Sequence, residues 1–218
     1  MYLDARGLPW KIIAIDQGET VPSDSAAFSG LAFMGGPMSV NDDLPWIAPV
    51  LELIRHAMAE DVPVLGHCLG GQLMSKALGG TVARNPLKEI GWGEIEVANN
   101  PQARAWFGPD LKRFESFHWH GETFSIPPGA VRIMGNRNCE NQGFVTGKNL
   151  GMQCHVEMTE ELIESWCKSG AEEIATAKSP TVQTQDEMRR GMAEKLATLR
   201  AVATRLYDRW VEGVKGER

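Results

Sequence analysis

"VPVLGHCLGGQLMSKALGG", residues 62–80, passes from a short apolar run through a glycine-flanked cysteine into a stretch with helical spacing. Val64 and Leu65 predict a strand, with Pro63 early enough in the run to be tolerated. Leu69, Leu73, Ala77 and Leu78 then share one helical face, which Gly79 and Gly80 close. The pattern Gly66-x-Cys68-x-Gly70 between strand and helix is the cysteine version of a nucleophile elbow, because small residues on both sides let the backbone turn sharply and hold the thiol clear of the sheet. A helix starting at Leu69 adds free N–H groups and a positive dipole end, which favour a thiolate and donate to a developing oxyanion. An isolated GxCxG fits a buried structural cysteine almost as well. The rest of the chain has to decide.

Working outward, "KIIAI" at 11–15 and "LAFM" at 31–34 read as short strands, and in "WIAPVLELIRHAMAE" from Trp46 the residues Ile47, Val50, Leu51, Ile54 and Met58 mark the buried face of a helix. Strand, helix, strand, helix predicts an α/β architecture with a parallel sheet covered on both faces. Downstream, "EIEV", "VRIM", "GFVT" and "LGMQC" are short strands between Gly, Pro and Asn clusters, a mixed extension of the same sheet. After residue 158 the chain turns helical, with Thr159 capping a first turn that carries Glu160 and Glu161. "AKSPTVQ" at 177–183 is a loop. From Gln185 onward Met192, Leu196, Leu199, Ala203, Leu206 and Trp210 repeat every three or four residues, too short a run for a coiled coil, so the reading is packing on the chain's own core rather than a dimerising seam. The division expected is 1–170 as the α/β domain and 171–218 as a helical extension packed on it.

Composition bounds the function. A chain of 218 residues, 43% hydrophobic, supports one sizeable core. A net charge of −6 provides no basic field for nucleic acid or anionic lipid, so a small-molecule substrate is expected and neither of those partners is. The four cysteines form no CxxC pair, "MYLDARGLPW" has no export signature, and no apolar run approaches the roughly 18 residues that span a bilayer. The expectation is a soluble, cytoplasmic protein with reduced thiols.

A thiol nucleophile wants an imidazole. His155 ends the run "LGMQC", and in an extended segment Glu157 points to the same side, so its carboxylate can hold one ring nitrogen while the other faces the sulfur. "FMGGPMSV" at 33–40 ends a strand in Gly35-Gly36-Pro37, which brings peptide N–H groups to the same end of a parallel sheet. His118 and His120 in "HWH" share a strand face as a metal pair would, but no third ligand stands at convincing spacing, so they read as pocket-wall histidines and no metal is expected.

"GHCLGGQ", "GMQCHVE" and "MGGPMS" resemble the nucleophile, His-Glu and oxyanion-strand motifs of class I glutamine amidotransferases, in matching order and separation over nearly the whole chain. The subgroup it is most similar to is the stand-alone, GMP-synthase-like one, which also carries a loop like "HGETF" at 120–124. The resemblance implies a doubly wound, flavodoxin-like, mostly parallel sheet with helices on both faces. It implies Cys68 as nucleophile, His155 as general base and then acid, and Glu157 as its orienting carboxylate. It implies further that Gly36 and Leu69 supply oxyanion N–H groups and that Gln72 helps hold the γ-glutamyl moiety. The family commonly has His where Gly71 stands and Pro where Val156 stands.

The implied chemistry is hydrolysis of glutamine or a related γ-glutamyl compound through a γ-glutamyl thioester, with no cofactor. Any synthetase or acceptor enzyme sits on another chain, and homo-oligomers are open. A free-standing γ-glutamyl peptidase and a catalytically silent binding module are the alternatives. In the family a first strand and helix precede the segment that "LDARGLPWKIIAID" resembles, so that first strand and helix are expected to be missing from this sequence.

Overall fold

The computed structural model describes residues 2–214. Its strands are β1 (Leu31–Phe33), β2 (Val64–His67), β3 (Val82–Val97), β4 (Arg113–Phe124), β5 (Val131–Gly135), β6 (Gly143–Thr146) and β7 (Asn149–Met152). The helices are α1 (Tyr2–Ala5), α2 (Ile47–Ala59), α3 (Leu69–Ala77), α4 (Pro101–Phe107), α5 (Glu160–Ser169), α6 (Ala171–Thr176), α7 (Gln185–Arg189) and α8 (Met192–Val214).

The strands form one open sheet in the order β1-β2-β7-β6-β5-β3-β4. β1, β2 and β7 are parallel, with Phe33 opposite Gly66 and His67 opposite Met152, so all three deliver their following loops to one edge of the sheet. The remaining pairings are antiparallel. The expected α/β sheet with a mixed extension is therefore present, its parallel part confined to the strands that carry the elbow.

Alternation along β2 divides the interior between the two faces. Val64 joins α2 and α3 in one apolar cluster with Ile54, Leu73 and Phe124, whereas Leu65 joins the cluster on the other face, where α4, α5 and α8 pack. The six periodic residues of α8 are all buried in that second cluster, which explains the repeat without a partner helix. Thr159 caps α5 as its sequence suggested, accepting from the Leu162 N–H.

Three details differ from the sequence reading. Residues 11–14 are not a strand, and Ile15–Gln17 is a single 3-10 turn; the run does not pair with the free edge of β1, and Ile12 is exposed. The buried face of α2 is Ile47, Val50, Leu53, Ile54 and Ala57, because Leu51 and Met58 lie toward its margin. "EIEV" is only the end of the long β3, whose pairing with β4 is interrupted between Arg84 and Glu89, which breaks the alternation that would have revealed it.

Candidate active site

The elbow is built from close approach. Cys68, the residue between β2 and α3, has φ 51° and ψ −107°; among described non-glycine residues only Asp61 also has positive φ. Such a residue costs on the order of 1–3 kcal/mol and persists only where its surroundings hold it. Here the Cys68 N–H donates to the Met152 carbonyl at 2.8 Å, and the flanking glycines leave room for nothing larger. A Cβ on Gly70 would stand 2.1 Å from the Phe33 carbonyl oxygen, and one on Gly66 2.5 Å from the Gly70 carbonyl carbon. Gly71 has the same reason for being small: its Cβ would meet the Met152 oxygen at 2.4 Å, so α3 lies directly on β7 at this point.

The loops after β1, β2 and β7 converge as expected. A cavity of about 910 Å³ is lined by Gly36, Cys68, Leu69, Gln72 and His155 together with Trp119 and Trp166. Gly35 sits where an added Cβ would be 3.1 Å from His155 Cε1 and 3.4 Å from Cys68 Cβ, so the glycine loop lies against both. Leu69, as the first residue of its helix, has an N–H without an intrahelical partner.

His155 Nδ1 and Glu157 Oε1 are 2.6 Å apart. Burial alone would push the imidazole down, but Glu157 and then Cys68 outweigh it and hold His155 up at about 10. Burial likewise opposes the charge on Glu157, and the two histidines beside it, His67 and His155, hold its carboxyl well below the usual range. His155 Nε2 is buried and makes no hydrogen bond of ordinary geometry. Trp166 covers its ring edge-on, with centroids 4.8 Å apart. The arrangement can therefore carry an imidazolium next to a thiol in a site shielded from water.

The other three cysteines are buried structural thiols: burial pushes Cys139 to about 11, Cys154 to about 12, and Cys167 upward. Gln72 is buried at the cavity wall, donating to Gln153 Oε1 at 3.1 Å, and Gln153 reaches Cys68 Sγ with its Nε2 at 3.5 Å. Gln153, His67 and Tyr207 are neighbours of Cys68, His155 and Glu157 to which the sequence reading gave no role. His67 and Gln153 lie inside the quoted motifs, which was the available signal; nothing local marks Tyr207.

A second buried cluster lies on β3 and β4. Glu89 is directly opposite His120, and His118 is two residues back on the same face, bringing three potential ligand atoms within 4.8 Å of one another. The third group that spacing along "HWH" could not supply thus comes from across the sheet. Its carboxylate is already occupied: Asn136 and Asn138 donate to Oε1 at 2.9 and 3.2 Å, Gln142 donates to Oε2 at 2.8 Å, and His120 Nε2 is 3.1 Å from Oε2. Four partners satisfy the lone pairs of the carboxylate, whereas both ring nitrogens of His118 are buried without a hydrogen bond of ordinary geometry among the described residues, and His120 lines the cavity.

Among the described residues no helix is long and apolar enough to cross a membrane. A family model described as "Glutamine amidotransferase class-I" matches residues 1–165. The chain is 32% identical to the glutamine amidotransferase-like protein YfeJ of Salmonella typhimurium, over 86% of this chain and 82% of that one. It is 30% identical to one subunit of the glutamine-hydrolysing GMP synthase of Sulfolobus acidocaldarius, over 74% of this chain and 85% of that one. A crystal structure of a glutamine amidotransferase from Methylobacillus flagellatus covers 100% of this chain and 89% of its own at a TM-score of 0.96 and 43% identity.

Proposed function

From the premise that the chain belongs to the class I glutamine amidotransferase family, whose general chemistry is hydrolysis of the glutamine side-chain amide, we propose that Cys68, His155 and Glu157 form the hydrolytic triad. The observation that carries this reading is the convergence of Cys68 and the Glu157-paired His155 on one cavity at the ends of parallel strands.

The Cys68 thiolate attacks the side-chain carbonyl of the γ-glutamyl group. The N–H groups of Leu69 and Gly36 receive the oxyanion as negative charge develops. His155, held protonated by Glu157, gives its proton to the leaving amine, and the tetrahedral intermediate collapses to a γ-glutamyl thioester. Water, deprotonated by the now neutral imidazole, then releases glutamate and the thiolate. Gln72 and Gln153 fix the polar wall of the pocket. No step requires a metal or organic cofactor.

A second reading concerns the leaving group. A cavity of about 910 Å³ is at the upper end of the ~300–1,000 Å³ range of small-molecule sites, more room than glutamine alone fills. This favours γ-glutamyl compounds with larger amines as additional substrates, as in a free-standing peptidase. Resemblance to a protein named as one subunit of a GMP synthase supports instead an ammonia acceptor on another chain. In either case residues 1–170 carry the chemistry, with residues 171–214 as a packed extension and 215–218 outside the described residues, in a cytoplasmic protein.

Purified chain given glutamine and a panel of γ-glutamyl peptides, with released glutamate, ammonia and amines quantified, separates the readings. Glutamate release that disappears in Cys68→Ala supports hydrolysis; no release from any member of the panel contradicts it and leaves the silent-module alternative.

A further inference from the structure

Glu157 meets two histidines, and the mechanism above uses one. Its Oε1 faces His155 Nδ1 at 2.6 Å, while its Oε2 lies 3.0 Å from His67 Nδ1, off the line of an aligned hydrogen bond. His67 is the last residue of β2, immediately before Cys68, and is 1% exposed. Its outer nitrogen, Nε2, is 3.2 Å from the hydroxyl of Tyr207 on α8, and the two rings meet edge-on with centroids 5.8 Å apart. Tyr207 packs in turn on Tyr2, centroids 5.1 Å apart, and the Tyr2 hydroxyl donates to Asp208.

The tautomer is coupled to the partners: where the Tyr207 hydroxyl donates to Nε2, the ring proton stands on Nδ1, on the side of the carboxylate. A terminal carboxylate torsion is broad and weakly constrained by its own side chain. Contacts at both oxygens are what restrict it.

We infer that His67 and Tyr207 are positioning residues of this site: Tyr207 sets the tautomer of His67, His67 holds the second oxygen of Glu157, and the carboxylate so fixed keeps His155 directed at Cys68. The inference rests on the triad reading given above. It also ties α8 to the nucleophile, although no residue of that helix lines the cavity. Other titratable groups interacting electrostatically with this cluster include His118 of β4 with His155, Cys154 from the loop after β7 with Glu157 and Tyr207, and Tyr2 with Tyr207.

The test is the pH dependence of Cys68 alkylation by iodoacetamide, located by peptide mass spectrometry in the full chain, because it reads thiolate formation without any substrate. His67→Leu, which removes the donor, is expected to raise the midpoint of the profile by about half a unit or more, since a less well-held carboxylate stabilises the thiolate–imidazolium pair less. Tyr207→Phe should shift it in the same direction by a smaller amount. His67→Asn, whose side-chain N–H occupies the place of Nδ1–H, should restore a profile close to that of the parent, which a merely structural role for the ring would not. Superimposable profiles for parent, Leu and Phe variants, or an Asn variant as impaired as Leu, would overturn the inference. If His67→Leu does not fold, Tyr207→Phe, which loses a single hydroxyl, decides on the same criterion. A parent that alkylates normally and shifts in the variants but hydrolyses nothing defeats the proposed activity alone; a parent that hydrolyses glutamine while the variants do not shift defeats the positioning role alone.

Discussion

Two buried clusters in this molecule have the same composition, a carboxylate between two histidines. In one, His155 and His67 lie beside the oxygens of Glu157; in the other, Glu89 has His120 and three side-chain amides. One imidazole of each shifts, in opposite directions: His155 touches its carboxylate, whereas neither ring nitrogen of His118 makes a hydrogen bond of ordinary geometry among the described residues. His155 is held protonated, at about 10, whereas burial takes His118 down to about 4 although Glu89 pulls the other way. Residue types alone do not make a catalytic base. What matters is whether the histidine touches the carboxylate, and whether it lies beside a thiol at strand ends or within an antiparallel pair.

The largest effect expected from breaking the first cluster is at its nucleophile. Cys68→Ala should abolish glutamine hydrolysis in a direct glutamate assay while leaving the thermal transition in place, since Ala fits wherever Cys does. Residual turnover above background would point to another nucleophile. His155→Asn comes next, with a loss of roughly a thousandfold in kcat, followed by Glu157→Gln at roughly 10- to 100-fold, because the imidazole moves the proton and the carboxylate only orients and stabilises it. Equal, small losses in both would mean that another base serves Cys68.

The second cluster should respond in stability rather than in rate. Glu89 is lowered from 4.5 to about 2, burial opposing and His120, His118 and Asn136 prevailing. A depressed carboxyl stabilises the fold above its unfolded value and loses that contribution as pH falls from 4.5 toward 2; His118, lowered by burial from 6.5 to about 4, loses its contribution as pH falls across that interval. His155 has the opposite sign: its contribution is complete below 6.5 and is lost as pH rises toward about 10. Urea titrations across pH should therefore show Glu89→Gln destabilised at neutral pH with a flattened acid limb, and Glu157→Gln with a flattened alkaline limb. Indistinguishable curves for the two variants would erase the contrast between the clusters.

Much of the first cluster was legible because its information is local. The elbow glycines, the i, i+2 pair His155 and Glu157, and the Gly35-Gly36 turn each sit inside one short segment, and parallel strand order brings the segments together. Glu89 was invisible for the complementary reason: its relation to His118 and His120 exists only through β3–β4 register, in a strand whose alternation is interrupted just before it. Tyr207 is more distant still, reaching His67 from a helix whose periodicity reported its buried face and nothing about a hydroxyl. "KIIAI" shows that apolar alternation states a preference for pairing and does not guarantee it: the run is not a strand although β1 has a free edge.

The claim on which everything else depends is that Cys68 is the nucleophile. The most direct measurement is to treat the purified chain with a glutamine-analogue electrophile at neutral pH and map the adduct by peptide mass spectrometry, with and without excess glutamine. The account predicts a single adduct on Cys68 that glutamine protects against; labelling at Cys139, Cys154 or Cys167 instead, or modification of Cys68 that glutamine does not slow, would contradict it.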